Sequence, residues 1–213
     1  MFKFAILIPS YNEYITLKKI IRKIYKNNSI LIMNDNSNDG TSLIENKFKK
    51  VMICNNKSRI GYEKNLVKGF KILIHKKFSH IITFDADGEH HVTNINKVKK
   101  FILKKKNIDL LVGNRSFLNR FSEKIISILF KYRFGIKDPL TGLKVYKTSV
   151  LKKFVNKIEG NFFLIDLLYE FIKHNKNIKN FNIRSVKIKN RKSRIGNPLI
   201  SNLKIFKCFK YLA

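Results

Sequence analysis

The run Ile81-Ile82-Thr83-Phe84 is apolar and rich in β-branched residues, and it stops abruptly on Asp85-Ala86-Asp87-Gly88-Glu89-His90. Such a run reads as a buried strand. In an open α/β sheet, ligands bind just outside the carboxyl ends of the strands. Asp85, Asp87 and Glu89 therefore stand where a substrate is held. Three crowded carboxylates repel one another unless a cation neutralises them. Oxygen ligands suit Mg²⁺ or Mn²⁺, which keep several waters and bind through one or two carboxylates plus substrate phosphates. The expectation is a metal site at Asp85, Asp87 and Glu89 serving a nucleotide diphosphate. The plainer reading is a strand followed by an Asp-Gly turn.

The rest of the chain repeats this grammar. Phe2 to Ile8 reads as a buried strand ending at Pro9-Ser10-Tyr11-Asn12-Glu13, after which Ile15, Ile20, Ile21 and Ile24 recur at helical spacing. Ser29 to Met33 is a second strand, ending at Asn34-Asp35-Asn36-Ser37-Asn38-Asp39-Gly40-Thr41, with helix to about Lys50. A short strand (Val51 to Cys54), a loop (Asn55 to Gly61) and a helix (Tyr62 to His75) lead into the central strand. Asn94 to Lys105 is helical and Asp109 to Val112 is extended. Strands alternating with helices indicate a mostly parallel sheet covered on both faces. Beyond Arg115 the pattern shifts. Phe121 to Phe134 is a basic amphipathic helix, and Asp138 to Lys147 a turn and short strand. Helices follow near Ser149 to Val155 and Phe162 to His174, then a strand from Ile178 to Ile188. Pro198 to Leu212 is a final helix with Lys204, Lys207 and Lys210 on one face. No linker or repeat interrupts this, so residues 1–213 read as one domain, which the family resemblance set out below divides into a nucleotide-sugar-binding half at 1–115 and an acceptor-side half at 116–213.

Charge sharpens the reading. The net charge is +31, which would draw nucleic acid, anionic lipid or phosphorylated substrates. An AT-rich coding sequence would give the same excess of Lys, Asn, Ile and Phe. Only 14 acids remain, and eight of them (Glu13, Asp35, Asp39, Asp85, Asp87, Glu89, Asp138, Asp166) fall in candidate motifs. Cys54 and Cys208 have no metal-ligand spacing and fit a reducing compartment. No signal peptide and no apolar stretch of about 18 residues is visible, so the expectation is a cytoplasmic protein.

The motifs Ile8-Pro9-Ser10-Tyr11-Asn12-Glu13, Asn34 to Thr41 and Asp85 to His90, in this order and each at a strand end, resemble the inverting family 2 glycosyltransferases of GT-A fold. The branch they most resemble is that of dolichyl-phosphate mannose synthase and its polyprenyl-phosphate relatives, over about residues 4 to 195. The fold this implies is a Rossmann-like, mostly parallel α/β sheet with helices on both faces and an acceptor-side helical segment. The activity it implies is transfer of a sugar from a nucleotide-diphosphate sugar, in the synthesis of cell-envelope glycans. The acceptor it implies is a polyprenyl phosphate or a glycan hydroxyl. Pro9, Tyr11 and the turn after them would face the nucleotide base. Glu13 would accept from base or ribose hydroxyls, and Asp35 from the base edge; ordinary helix-start and loop-cap roles compete for both acids. Gly61, Lys64 and Asn65 match the segment that brings a helix N-terminus to the nucleotide. By resemblance Asp85 lies toward ribose and metal, and Asp87 holds Mg²⁺ or Mn²⁺ on the diphosphate. Glu89 stands where Gln is frequent. Gly113-Asn114-Arg115 matches a further signature, with Arg115 as a phosphate fork. Asp138 of Asp138-Pro139-Leu140-Thr141-Gly142-Leu143 is a candidate general base or orienter, and Asp166 takes the place of an acceptor-facing Glu. Arg191 and Arg194 fall in a stretch that resembles the basic segment closing over diphosphate, although Lys192 and Arg194 depart from its pattern.

A sugar hydroxyl must lose a proton as it attacks and benefits from a positioned carboxylate, whereas a polyprenyl phosphate is already anionic. The basic helices at Phe121 to Phe134 and Pro198 to Leu212 suit an anionic membrane surface, with packing against the core as the competing reading. A specific nucleic-acid partner is not expected, because the lysines are spread along the chain and no binding motif appears. A nucleotidyltransferase would show a Gly-rich basic loop after the first strand, and Pro9 to Glu13 is not one.

Overall fold

In the computed structural model, residues 2–44, 48, 51–118, 120–158, 164–186, 202 and 205–212 are described. Seven strands form one sheet: β1 (Phe4–Ser10), β2 (Ser29–Asn34), β3 (Val51–Asn55), β4 (His80–Thr83), β5 (Leu110–Arg115), β6 (Lys144–Lys147) and β7 (Ile178–Ile183). The spatial order is β3-β2-β1-β4-β6-β5-β7. β1, β2, β3 and β4 pair in parallel, as do β5 and β7, while β6 lies antiparallel between β4 and β5. The sheet is thus mixed and mostly parallel, the α/β architecture expected from the alternation.

The apolar runs explain the layering. Along β1, Ala5 and Leu7 turn to one face and Ile6 and Ile8 to the other, and all four are fully buried. A strand covered on both faces needs such an unbroken apolar sequence. Helices α2 (Tyr62–His75), α4 (Phe121–Phe134), α5 (Thr148–Phe154) and α6 (Ile165–Lys173) contribute Phe70, Phe130, Leu151 and Phe171 to the first face. Helices α1 (Tyr14–Ile24) and α3 (Thr93–Lys104) bring Leu17, Ile21, Val98 and Ile102 to the second. Gly69 of α2 lets that helix approach closely, since a Cβ there would meet Leu7 Cδ1 at 2.4 Å. Among the described residues, no helix is long and apolar enough to cross a membrane.

Several elements differ in extent from the sequence reading. After β2 only a 3₁₀ turn at Thr41–Leu43 is described, and most of the helix expected to Lys50 lies outside the described residues. β7 ends at Ile183, because the chain then leaves the sheet: Ser185 bridges His90, and Val186 N donates to Glu89 O at 2.8 Å. α6 starts at Ile165, after Leu164 in a left-handed conformation. Of the last expected helix, Ile205–Phe206 is helical and Lys207–Tyr211 is a 3₁₀ turn, while Lys204 lies outside the described residues. Arg191 and Arg194 lie outside them too.

The antiparallel β6 is what completes the upper edge of the sheet. Parallel strands present their carboxyl ends there, but β6 runs the other way and presents its start. The turn Asp138–Leu143 is thereby delivered beside the ends of β4 and β5.

Candidate active site

Asp85 sits immediately beyond β4 and is held from three sides. Tyr62 Oη, in the first turn of α2, donates to Asp85 Oδ1 at 2.8 Å. His90 Nε2 lies 3.5 Å from Asp85 Oδ2. On the third side is the α-carbon of Gly142, where a Cβ would fall 1.7 Å from Asp85 Oδ2. Only a glycine fits there. Burial opposes the charge of Asp85, but His90, the Tyr62 hydroxyl and Arg115 outweigh it and hold the carboxyl below its ordinary value. Burial and the Asp85 charge push Tyr62 well above its usual value, so its proton stays in place to donate.

The Asp-Gly turn is also present, as the plainer reading holds. Asp87 Oδ1 accepts from Glu89 N at 2.8 Å, and Gly88 adopts φ +82°. The turn displays Asp87 two residues from Asp85 at the same edge. Glu89 turns the other way, its Oε1 3.4 Å from Arg115 Nη1. Burial raises Glu89 above its usual value against the opposing charge of Arg115. Among the described residues, no three His, Cys, Asp or Glu side chains converge as a ready-made metal cage. A pair of carboxylates matches instead a cation that draws its remaining oxygens from a bound diphosphate and water. Asp85 and Asp87 fit that demand, while Glu89 fits it only on leaving Arg115.

Arg115, at the end of β5, is the hub of a cluster of carboxylates. Its Nε donates to Asp138 Oδ2 at 2.8 Å and its Nη2 to Oδ1 at 3.1 Å, a bidentate fork joined by the backbone N at 3.2 Å. Glu123 of α4 adds an oxygen 3.6 Å from Nη2, and Arg120 Nη1 donates to the other Glu123 oxygen at 2.7 Å. Burial works against the Arg115 charge, but Asp138, Glu123 and Glu89 overcome it and hold the proton on. The expected phosphate fork is therefore already closed on protein carboxylates. Asp138, only 1% exposed, is tied up in the same fork and orients Arg115. Lys144 Nζ donates to Thr141 O at 2.8 Å; burial pulls this lysine down to about 8, with Asp138 and Asp85 pushing back.

Asp166 stands at the first turn of α6, its Oδ1 accepting from Leu167 N at 2.8 Å. Its charge reaches the buried Tyr146 of β6, which in turn is felt by Tyr62. Its helix, α6, packs on the same face of the sheet as α2.

The nucleotide-side residues divide in two. Asp35 is 3% exposed and accepts from Asn56 Nδ2 (3.0 Å), Ile60 N (2.9 Å) and Gly61 N (2.9 Å). Asn65 is likewise buried, donating to Met33 O at 2.7 Å and accepting from Asn56 at 2.9 Å. Their polar atoms shape the loop Asn55–Gly61 from within. Gly61, at φ +92°, lets that loop turn into α2. Tyr11, stacked under the Arg59 guanidinium at 4.0 Å, and the exposed Lys64 remain at the edge. Pro9 is buried in the end of β1, and Glu13 opens α1, its carbonyl accepting from Leu17 N at 2.8 Å. Asp39 stitches two motifs together: Oδ2 accepts from Tyr14 N at 2.7 Å and Oδ1 from Thr41 Oγ1 at 2.5 Å. Burial would raise it, but these hydrogen bonds lower it.

The sequence reading assigns no role to Tyr62, Glu123 or Lys144. Glu123 does carry a signal, being an acid in a basic helix of an acid-poor chain. Tyr62 and Lys144 carry none, since nothing in their spacing says which way they point.

Residues 5–158 match the glycosyl transferase family 2, and the chain belongs to that family. It is a glycosyltransferase. It is 28% identical to an uncharacterized protein of Methanocaldococcus jannaschii over 94% of this chain and 88% of that one. It is 23% identical to the polyprenol monophosphomannose synthase of Mycolicibacterium smegmatis, covering 78% of this chain and 71% of the relative. The UDP-N-acetylglucosamine–dolichyl-phosphate N-acetylglucosaminyltransferase of Methanococcus voltae is 24% identical over 69% of this chain and 70% of its own length. The last two of these relatives match the branch named from the motifs. Among solved structures, glucosyl-3-phosphoglycerate synthase of Mycobacterium tuberculosis superimposes with a TM-score of 0.77 at 15% identity, covering 99% of this chain and 80% of that one. The GT-A fold is thereby shown.

Proposed function

We propose that this chain transfers a sugar, with inversion, from a nucleotide-diphosphate sugar to a polyprenyl phosphate, using Mg²⁺ or Mn²⁺ held by Asp85 and Asp87. The observation that carries the donor site is the three-sided seat of Asp85, formed by Tyr62, His90 and Gly142. A structure that merely turned a corner at Asp-Gly would have no use for a carboxylate fixed so closely. The bound cation would neutralise the leaving diphosphate and act as a template. Tyr11, Glu13 and Lys64 stand at the nucleotide edge, with Arg191 and Arg194 proposed to complete the diphosphate site from the stretch after Val186. The Mycobacterium tuberculosis synthase has been crystallised in complex with Mn²⁺, UDP and phosphoglyceric acid, which agrees with this reading.

The acceptor is proposed from Asp138. A hydroxyl acceptor needs a base, and Asp138 would have to break a buried bidentate pair to serve as one. A phosphate acceptor brings its own negative charge and needs only alignment. The two named relatives that act on polyprenol and dolichyl phosphate support this choice. A glycan hydroxyl is the alternative, and Asp166 is then the carboxylate to test.

The experiment is a thermal shift with a panel of nucleoside diphosphates, with and without Mn²⁺, on the wild type and on Asp87→Ala. Metal-dependent stabilisation by one nucleotide, lost in Asp87→Ala, is expected. A folded protein that responds to none of them refutes the donor site.

A further inference from the structure

Lys144 is the first residue of β6 and is only 3% exposed, so its ammonium is shut off from a bound substrate. Burying an ammonium is costly, and a hydrogen bond to a neutral carbonyl does not offset the loss of its water. A methionine would fill the same space without that cost, so packing alone does not account for a lysine here. Its ties to the chain do. The backbone of Lys144 is clamped to the last residue of β4: Lys144 N donates to Thr83 Oγ1 at 3.1 Å, and Thr83 Oγ1 donates to Lys144 O at 3.4 Å. The side chain turns back over the residues before it, and Nζ donates to Thr141 O at 2.8 Å. Gly142 is held between these anchors. On one side Leu143 O accepts from Gly113 N of β5 at 2.9 Å, and Leu143 N donates to Thr141 Oγ1 at 3.3 Å. On the other, Thr141 N reaches Asp138 O at 3.4 Å, which leaves the lysine bond as the shorter tie. The α-carbon fixed in this way is the wall on which Asp85 rests, since a Cβ there would fall 1.7 Å from Asp85 Oδ2.

We infer that Lys144 is a positioning residue for the carboxylate of Asp85: by holding the Thr141 carbonyl it sets Gly142, and through Gly142 the orientation of Asp85 toward the cation and diphosphate. The cation comes from the proposed donor site, while the tie itself stands on geometry alone. A purely electrostatic role makes the opposite prediction. The charges of Lys144 and Asp85 act on each other, so Lys144 opposes a metal ion held at Asp85. Removing that charge without moving Asp85 would tighten metal binding, whereas losing the tie frees Asp85 and weakens it.

The test is Mn²⁺ binding in the presence of UDP or GDP, read from the electron paramagnetic resonance of the free ion. The proteins compared are wild type, Lys144→Met, Gly142→Ala and the double variant. Lys144→Met should weaken Mn²⁺ binding by about 10–100-fold, as the loss of a group that orients a metal ligand does. Both changes act through one contact, so the double variant should lose less than the product of the two single losses. Unchanged or tighter binding in a folded Lys144→Met, or losses that multiply, would overturn the inference. Lys144→Gln keeps a donor at shorter reach and should fall between wild type and Lys144→Met, which covers a methionine variant that does not fold. If neither variant folds, Lys144 is a folding residue and the inference falls. Hydrogen exchange of the metal-free proteins supplies a readout without the cation. Amides of residues 138–144 should exchange faster in Lys144→Met while those of β1 and β2 keep their rates, and an unchanged turn would again overturn the inference. Wild type that takes up no Mn²⁺ with either nucleotide refutes the donor-site reading instead, and the exchange rates alone then decide whether Lys144 holds the turn.

Discussion

Asp138→Asn separates two roles that the position can have. As a base, Asp138 would be needed for turnover and dispensable for folding. As the partner of Arg115 it is chiefly needed for folding. Removing one member of a buried ion pair costs about 3–5 kcal/mol when a charge is left uncompensated. Arg115 keeps Glu89 at 3.4 Å and Glu123 at 3.6 Å, so the lower end applies. The asparagine amide also faces the Nε–H donor with an N–H of its own, or turns its oxygen there and abandons Nη2. About 3 kcal/mol, at about 2–4 °C for each kcal/mol in a domain of this size, predicts a fall in Tm of about 6–12 °C. Turnover below the new transition should persist at a reduced level, and the Arg115→Gln/Asp138→Asn cycle should show strong coupling in stability. Tm would be followed by circular dichroism and turnover by release of the nucleoside diphosphate. A Tm within about 1 °C of wild type, with turnover abolished, would refute the reasoning and make Asp138 the base.

Three further outcomes follow from the geometry. Tyr62→Phe removes a hydrogen bond to a carboxylate but keeps the ring, so metal-dependent stabilisation by nucleotide should weaken by about 1.5–3 kcal/mol, read as a shifted titration midpoint, with little change in the unliganded Tm. Gly142→Ala forces Asp85 aside, and a displacement near 1 Å should lower turnover by about 10²-fold in a chain that still folds by circular dichroism. His80, 4% exposed in β4, is lowered to about 4 by burial and by Lys147. Between about 6.5, its unfolded value, and about 4, the unfolded chain binds a proton that the native one refuses. Stability is therefore lost as pH falls through that window, by at most about 3 kcal/mol, and His80→Gln should flatten a Tm profile between about pH 7 and pH 4.

What the sequence made legible was whatever a local pattern can carry. Unbroken apolar runs at Ala5–Ile8 and Ile30–Met33 announced strands covered on both faces, and polar residues at their ends announced the working edge. Local pattern does not say where a side chain ends up when its partner is distant in the chain. Asp35 and Asn65 read as ligand contacts in one dimension, and nothing local says that their side chains also hold Asn56, Ile60, Gly61 and Met33. Arg115 looks like a free phosphate fork until Asp138 and Glu123, from later elements, close on it. The same distance hid Tyr62, whose task depends on a carboxylate 23 positions away.

The antiparallel strand also decides how the molecule can come into being. β4 and β5 do not pair with each other; among the described residues, every pairing of β5 is to β6 or β7, both made from residues beyond 143. A chain ending at Arg115 therefore holds β1 to β4 as a parallel ribbon with an open edge, and a fifth strand with no neighbour. The glycine that seats Asp85 has not yet been added either. With β6 the sheet gains the strand that links β4 to β5, and the turn before it brings Gly142 to Asp85 in the same act. Entry of β6 is thus a long-range, late event on which both cooperativity and competence wait. A shortened product exposes an unpaired strand edge before it has acquired a site.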